Sequence, residues 1–140
     1  MKYGSIILEQ REFQVLEDLL RSTHYAKDES YKVSMKLLAE ELKTASIRSE
    51  EDFPSDVIRF NSVVELEIFD GTIRKYQLVK PKESDVALNR ISILAPLGSA
   101  LIGYSSGDEL TWHFPGGEKK IKILSVETPL KVKNPAPKKV

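Results

Sequence analysis

The hydrophobic period of this chain changes once, near residue 50, and this change constrains the fold more than any other feature. Before it, apolar residues recur at steps of three and four; after it, apolar and polar residues alternate, as in Val64-Glu65-Leu66-Glu67-Ile68. The first spacing gives a helix one apolar face, and the second does the same for a strand. The chain is therefore predicted to be α+β, with its helices ahead of its sheet.

Two amphipathic helices are predicted in the first part, over residues 9–22 and 30–46, with Ser30 as the N-cap of the second. The apolar stripe of the first helix consists of Phe13, Leu16, Leu19 and Leu20. The stripe of the second consists of Val33, Leu37, Leu38, Leu42 and Ala45. Because a short polar loop separates the helices, we expect an antiparallel hairpin in which the two stripes face each other.

The second part is predicted to form an antiparallel sheet of about four or five strands with one short helix. Asp70-Gly71 is a hairpin turn signal, because both central turn positions need positive φ. Pro96 and Gly103 bracket the short helix. Further strands are expected at 72–79, 91–94, 109–114 and 118–127. The predicted organisation is a helical hairpin over 1–50, a sheet domain over 51–128 and a loose basic tail over 129–140.

Composition excludes several classes of site. The chain has no cysteine, which excludes disulfides, thiolate catalysis and cysteine-ligated zinc. With only His24 and His113, we expect no metal site and no cofactor. No apolar run approaches the roughly 20 residues of a membrane span, so we expect no membrane association and a cytoplasmic protein.

The zero net charge conceals an uneven distribution. Residues 1–53 carry 8 Lys and Arg against 11 Asp and Glu, whereas residues 54–140 carry 13 against 10. The segment 131–140 contains four lysines and no acid. Neither part has the dense basic stripe of a duplex-DNA binder, so any contact with nucleic acid is expected to be auxiliary.

Few residues suggest chemistry by themselves. Asp28 and Glu29 lie at the predicted hairpin tip, either as an acidic pair facing a metal or partner, or as favourable charge at the start of the second helix. Asp56 fits either a docking carboxylate or a local turn before the first strand. Pro115-Gly116-Gly117 is interpreted as a turn, because a phosphate-binding loop needs Lys and Ser or Thr after its glycines.

Several blocks in the second part resemble the C-terminal domain of the bacterial Gre transcript-cleavage factors. In order, they are PSDVIRFNS (54–62), YQLV (76–79), ISILAPLG (91–98), LIG (101–103), GD (107–108) and FPGG (114–117). The resemblance implies an FKBP-like domain that docks on RNA polymerase at the rim of the secondary channel. In that family a long N-terminal coiled coil reaches inward with acidic residues at its tip. The docking residues it implies here are Leu94, Ala95, Pro96, Leu97 and Gly98, with Asp56 as a further candidate.

The departures from the Gre pattern resemble a short-hairpin, Rnk-like branch of the family. Gre factors usually have Ser where this chain has Ala95. The predicted helices extend only about 21–25 Å, and cleavage factors use a coiled coil roughly twice as long. This branch binds polymerase without stimulating cleavage. The resemblance thus implies a monomeric, non-enzymatic regulator that competes with Gre factors.

Two other functions remain open. One is a true Gre-type elongation factor that stimulates transcript cleavage through Asp28 and Glu29. The other is a peptidyl-prolyl isomerase, suggested only by the implied FKBP-like fold. Isomerases of that fold line their pocket with many aromatic side chains, and this chain offers only Tyr76, Trp112 and Phe114.

Overall fold

The chain folds as a mixed α+β protein, and the predicted order of helices before sheet is confirmed. The computed structural model describes residues 2–22, 28–68, 71–114 and 117–129. The elements of these residues are β1 (Ile7–Glu9), α1 (Gln10–Arg21), α2 (Glu29–Leu42), β2 (Ser46–Arg48), β3 (Val63–Ile68), β4 (Thr72–Val79), β5 (Arg90–Ser92), α3 (Pro96–Leu101), β6 (Glu109–Phe114) and β7 (Gly117–Glu127).

Carboxylates cap the first two helices. Glu9 precedes α1 and accepts hydrogen bonds from the backbone N–H groups of Arg11 and Glu12. Asp28 caps α2 by accepting from the Tyr31 N–H at 3.0 Å. The prediction of Ser30 as the cap is wrong, because Ser30 lies inside α2 and its hydroxyl donates to Asp28.

Both helices are shorter than predicted, with 12 residues in α1 and 14 in α2. The second ends at Leu42 because the chain then turns to pair with β1, where the Ser46 N–H donates to the Ile6 carbonyl. The antiparallel hairpin itself stays a prediction, since its loop, 23–27, lies outside the described residues. In the described part of the chain, no helix is long and apolar enough to cross a membrane.

A small parallel pair, β1 with β2, flanks the helices. Ile7 lies opposite Ser46, and Glu9 lies opposite Arg48. The sequence predicts only an extended lead-in and an aperiodic connector at these places. Strands of three residues are too short to show a period, so the pairing could not be predicted.

The main sheet has the strand order β5-β4-β3-β7-β6. The predicted hairpin of β3 and β4 is confirmed as an antiparallel pair, with Ile68 opposite Thr72. The prediction of a wholly antiparallel sheet is wrong at β5, which runs parallel to β4, with Gln77 opposite Arg90. Residues 80–89 explain the difference: they return through two short 3-10 turns, so that β5 runs in the same direction beside the last three residues of β4.

The helices and the sheet share one cluster of buried apolar side chains. Leu16 of α1, Leu38 of α2 and Leu66 of β3 all belong to it. The predicted stripe of α2 is wrong at two positions, since Val33 is 49% exposed and Leu37 is 63% exposed. The buried face of α2 consists instead of Met35, Leu38 and Leu42. This face is rotated from the predicted one because α2 packs against α3 as well as against α1.

Candidate functional site

The segment Leu94–Gly98 leads from β5 into α3, and the structure divides its residues into anchors and surface. Leu94 is fully buried, and Gly98 is buried against the backbone of Ser92. Ala95, Pro96 and Leu97 are half-buried. The accessible part of the predicted docking residues is therefore Ala95–Leu97, which we call the docking surface.

The docking surface is held in one conformation by its own backbone. The Ala95 N–H donates to the Ser92 carbonyl at 3.0 Å, and the Ser99 N–H donates to the Ala95 carbonyl at 2.8 Å. A Cβ atom at Gly98 would lie 2.1 Å from the Ser92 carbonyl oxygen, so only glycine allows this close approach. Pro96 occupies the first turn of α3, where its missing N–H costs no hydrogen bond.

Asp56 holds the N-terminal segment of the chain. Its carboxylate forms an ion pair with Lys2 and accepts from the Tyr3 hydroxyl at 2.9 Å. Burial raises the pKa of Asp56, but the hydrogen bonds from Lys2 and Tyr3 outweigh it, and the net pKa lies below the ordinary value. A docking role for Asp56 would have to compete with these contacts.

Asp108 provides a second attachment for the same segment. Its carboxylate accepts from the Lys2 N–H at 2.7 Å and from the Ser105 N–H at 2.9 Å. Asp108 belongs to one of the Gre-like blocks of the sequence, and its buried carboxylate is thereby satisfied.

A charged cluster around Arg59 is the feature that sequence reasoning missed. The guanidinium forms a two-pronged pair with Glu50, both contacts being 2.8 Å. It also donates to Glu12 at 2.9 and 3.0 Å, and it lies 3.9 Å from Glu9. The Phe53 ring packs against the guanidinium, 4.5 Å from ring centre to Cζ.

The electrostatics of this cluster follow from its burial and its pairing. Hydrogen bonds to Glu50 and Glu12 raise the pKa of Arg59 far above its usual value, although burial opposes the shift. Burial raises the pKa of Glu12 above its ordinary value, although Arg59 opposes that shift. We call these residues (Glu9, Glu12, Glu50, Phe53 and Arg59) the Arg59 cluster. The signal for it in the sequence is that Arg59 is the only basic residue between 49 and 62, beside an acidic connector.

The Arg59 cluster forms one wall of a groove of about 1140 Å³. Arg11 lies on the same groove, with 82% of its side chain exposed. Val63 and Val126 of the sheet also line this groove. The groove therefore lies where the first helix, the connector and the sheet meet.

The structure places Asp28 and Glu29 at the start of α2, and both are exposed. Asp28 performs the capping role that the simpler interpretation of the sequence predicts, and the role of the pair toward a partner stays a prediction. His24 lies outside the described residues, as do Pro115 and Gly116. Within the described ranges, no three His, Cys, Asp or Glu side chains converge in a way that could hold a metal ion.

Comparison with known proteins gives consistent similarities. The family model described as "Transcription elongation factor, GreA/GreB, C-term" matches residues 53–128. The "Regulator of nucleoside diphosphate kinase" of Escherichia coli K12 is 32% identical over 129 residues, covering 91% of this chain and 92% of that protein. The "Transcription elongation factor GreA" of Syntrophus aciditrophicus is 42% identical over 72 residues, covering 51% of this chain and 45% of that protein.

A solved structure has a similar fold. The chain described as "Prokaryotic transcription elongation factor GreA/GreB from Nitrosomonas europaea" matches with a TM-score of 0.71 and 31% identity. The match covers 89% of this chain and 98% of that chain. The likeness therefore includes the helices as well as the sheet.

Proposed function

This chain belongs to the GreA/GreB family of transcription elongation factors, and from this premise we propose that it is a regulator that binds RNA polymerase without stimulating transcript cleavage. It docks at the rim of the secondary channel, competes there with Gre factors and is not itself an enzyme. The observation that carries the proposal is the short reach of α1 and α2.

The helices are too short for the role of a cleavage factor's coiled coil. At about 1.5 Å per residue, the 12 residues of α1 and the 14 of α2 extend about 18 and 21 Å. The coiled coil of cleavage factors is about twice as long as even the longer helices that the sequence predicts. Because carboxylate oxygens hold a metal only at about 2.0–2.6 Å, a shortfall of one helical turn already removes Asp28 and Glu29 from the polymerase metal.

The similarity to the E. coli protein named as a regulator covers 92% of that protein. The similarity to the GreA of Syntrophus aciditrophicus covers 45% of it, whereas the Nitrosomonas europaea chain described as a GreA/GreB elongation factor matches over 98% of its length. The similarity to the Syntrophus GreA spans 72 residues, about half of this chain. The family model matches residues 53–128, which include the docking surface, so docking is the property we carry over.

The docking surface suits a partner with an apolar contact patch. Ala95, Pro96 and Leu97 expose parts of their apolar side chains on a segment whose backbone is already fixed. Binding at this surface costs this chain little conformational entropy, because the backbone there is already ordered. A small contact area can therefore give a useful affinity.

The first test replaces Pro96 with Glu. We expect the affinity for core polymerase to fall at least about tenfold, equivalent to about 1.4 kcal/mol, because the carboxylate is buried against an apolar patch. The fold should persist, since an acidic residue in the first turn of a helix is favourable. Affinity is measured by fluorescence anisotropy, and the same assay follows displacement of a labelled Gre factor.

The matched control is Thr111→Glu, which places the same charge at an exposed position of β6, opposite Lys120. It should bind polymerase and displace the Gre factor as the unchanged protein does. A folded Pro96→Glu variant with unchanged affinity would contradict the docking proposal. Simultaneous saturable binding of both proteins to one polymerase would contradict the competition.

A further inference from the structure

The Arg59 cluster joins three segments that are far apart in the sequence. Glu12 lies in the first turn of α1, Glu50 lies in the connector and Arg59 precedes β3. Glu12 also accepts from the backbone N–H of Phe60 at 3.3 Å through its second oxygen. The Arg59 guanidinium thus links the start of α1 and the connector that follows β2 to the start of the sheet.

We propose that Arg59 is a positioning residue that sets the angle of the helix pair, α1 and α2, against the sheet. Through this angle it determines where Asp28 and Glu29 lie once the docking surface is bound to polymerase. This second consequence rests on the proposed function, whereas the angle itself is a property of the free protein.

Among the described residues, two further polar attachments of the helical part lie near α3. The Ile7 N–H donates to the carbonyl of Gly103, which follows α3. The hydroxyl of Tyr104 donates to Glu41 of α2 at 3.4 Å. Two neighbouring attachments still allow the helix pair to rotate against the sheet about the line that joins them. A third attachment away from that line prevents this rotation. The Arg59 cluster, on residues ahead of β3, is that third attachment.

A polar contact adds direction to the apolar packing. The hydrophobic effect is non-directional, and close packing of side chains such as Leu16 and Leu38 restricts the crossing angle only to a range. A planar guanidinium in two-pronged contact with a carboxylate has a defined geometry in both groups. Arg59 has only 14% of its side chain exposed, so water competes little for these hydrogen bonds.

The charges of the cluster make Arg59 more than a passive contact. Three carboxylates, from Glu9, Glu12 and Glu50, lie within 3.9 Å of one guanidinium. Without it, like charges repel across a partly buried space, and the connector moves away from α1. A lysine keeps one positive charge but cannot make the forked contact. At the end of a helix about 21 Å long, a tilt of about 10° is a displacement of about 4 Å.

The test measures a distance within the free, full-length chain. Because the chain has no cysteine, Lys36→Cys on α2 and Lys75→Cys on β4 give a clean pair of exposed spin-label sites. Pulsed electron paramagnetic resonance then gives the distance distribution between helix pair and sheet. We expect Arg59→Lys and Arg59→Met to shift or broaden this distribution by about 2 Å, half of the displacement above, because Lys36 lies midway along α2.

The control is Arg21→Met, which removes an exposed arginine of α1 whose ion pairs with Glu17 and Asp18 lie outside the Arg59 cluster. It should leave the distribution unchanged. If Arg59→Met does not fold, Arg59→Lys and Glu50→Gln decide, since the first keeps the positive charge and the second keeps the side-chain volume, while both lose the forked contact. An unchanged distribution in folded Arg59→Lys and Glu50→Gln variants overturns the proposal.

Polymerase affinity, measured separately, distinguishes this proposal from the proposed function. Arg59→Lys should dock as tightly as the unchanged protein, because Ala95–Leu97 is untouched. If the unchanged protein does not bind polymerase, the proposed function fails while the distance result still stands. If Arg59→Lys weakens docking as much as Pro96→Glu does, without changing the distance, then Arg59 belongs to the docking surface and the positioning role is wrong.

Discussion

Gly98 shows how one residue without a side chain fixes the docking surface. A Cβ atom there would lie 2.1 Å from the Ser92 carbonyl oxygen, and a backbone atom cannot rotate away as a side chain can. We predict that Gly98→Ala lowers the free energy of unfolding by about 1–3 kcal/mol, the usual range for overpacking. Urea denaturation measures this change.

Ala100→Ser is the control for that experiment, because it also adds one heavy atom in α3 but at a half-buried position. It should cost no more than about 0.5 kcal/mol. A Gly98→Ala variant as stable as Ala100→Ser would show that the chain around Ser92 yields, and that the docking surface is not rigidly held.

Asp56 predicts a pH dependence with a defined sign. Its pKa is lower in the folded protein than in the unfolded chain, because the hydrogen bonds from Lys2 and Tyr3 outweigh the effect of burial. Its contribution to stability is therefore present above the ordinary pKa of an aspartate, about 3.9, and is lost as the pH falls through the folded value. We predict that Asp56→Asn is less stable than the unchanged protein at pH 7, and that the difference shrinks under acid conditions.

Thermal unfolding of Asp56→Asn and of the unchanged protein, measured from neutral pH into the acid range, tests this prediction. A difference between them that stays constant with pH would show that the Asp56 charge does not hold the N-terminal segment.

The sequence was sufficient to identify single residues that lie in a Gre-like block or at a position with a known local preference, such as the first turn of a helix. Pro96, Gly98 and Asp56 all lie in Gre-like blocks, and the structure gives each a definite structural role. The partners of Arg59 and Asp56 were not predictable in this way. Glu12 lies 47 residues from Arg59, and Tyr3 lies 53 residues from Asp56. No periodicity or spacing connects side chains that meet only through the tertiary fold.

On α2, the side chains that are buried differ from the apolar stripe that the sequence predicts. Leu37 is exposed although the sequence places it in the apolar stripe, and Leu38 is fully buried. We predict that Leu38→Ala costs about 2–5 kcal/mol of stability, as large-to-small changes in a core do. Leu37→Glu should change stability by no more than about 0.5 kcal/mol, like other surface substitutions.

Chemical denaturation of the two variants under the same conditions provides the comparison. A large loss from Leu37→Glu would mean that α2 is rotated relative to the structure, with the predicted stripe facing the core after all.

Element length decides which strands the sequence could predict. The alternating patterns of β3 and β7 and the turn at Gly71 were sufficient to predict long strands and a hairpin. The strands β1, β2 and β5 have three residues each, too few to show a period or a direction. The parallel run of β5 depends on the path of residues 80–89, whose 3-10 turns have no strong sequence signal.

The reach of the whole molecule leads to a prediction about catalysis. With helices of about 18 and 21 Å, we expect no stimulation of transcript cleavage when the protein is added to a backtracked polymerase complex. A cleavage factor in the same assay provides the positive control. Binding should survive the double variant Asp28→Asn, Glu29→Gln, because Asn preserves the cap of α2 while both charges are lost.

Strong cleavage by the unchanged protein, abolished in this double variant, would move the protein to the cleavage-factor class. Cleavage that persists in the double variant would exclude the acidic pair as its cause. Either outcome refutes a purely regulatory role.

The position of β1 has a consequence for synthesis on the ribosome. Ile6 and Leu8 are buried in the same core as Ile121 and Ile123, and the Ile7 N–H is bound by Gly103. A nascent chain growing at about 5–20 residues per second needs about 6–23 s to pass from residue 6 to residue 121. β1 can pair with β2 once residue 48 is made, but throughout that interval the core that buries Ile6 and Leu8 is incomplete. The helices that follow β1 are made early but can be seated only late, so the first part of the nascent chain exposes apolar surface until the last strand emerges.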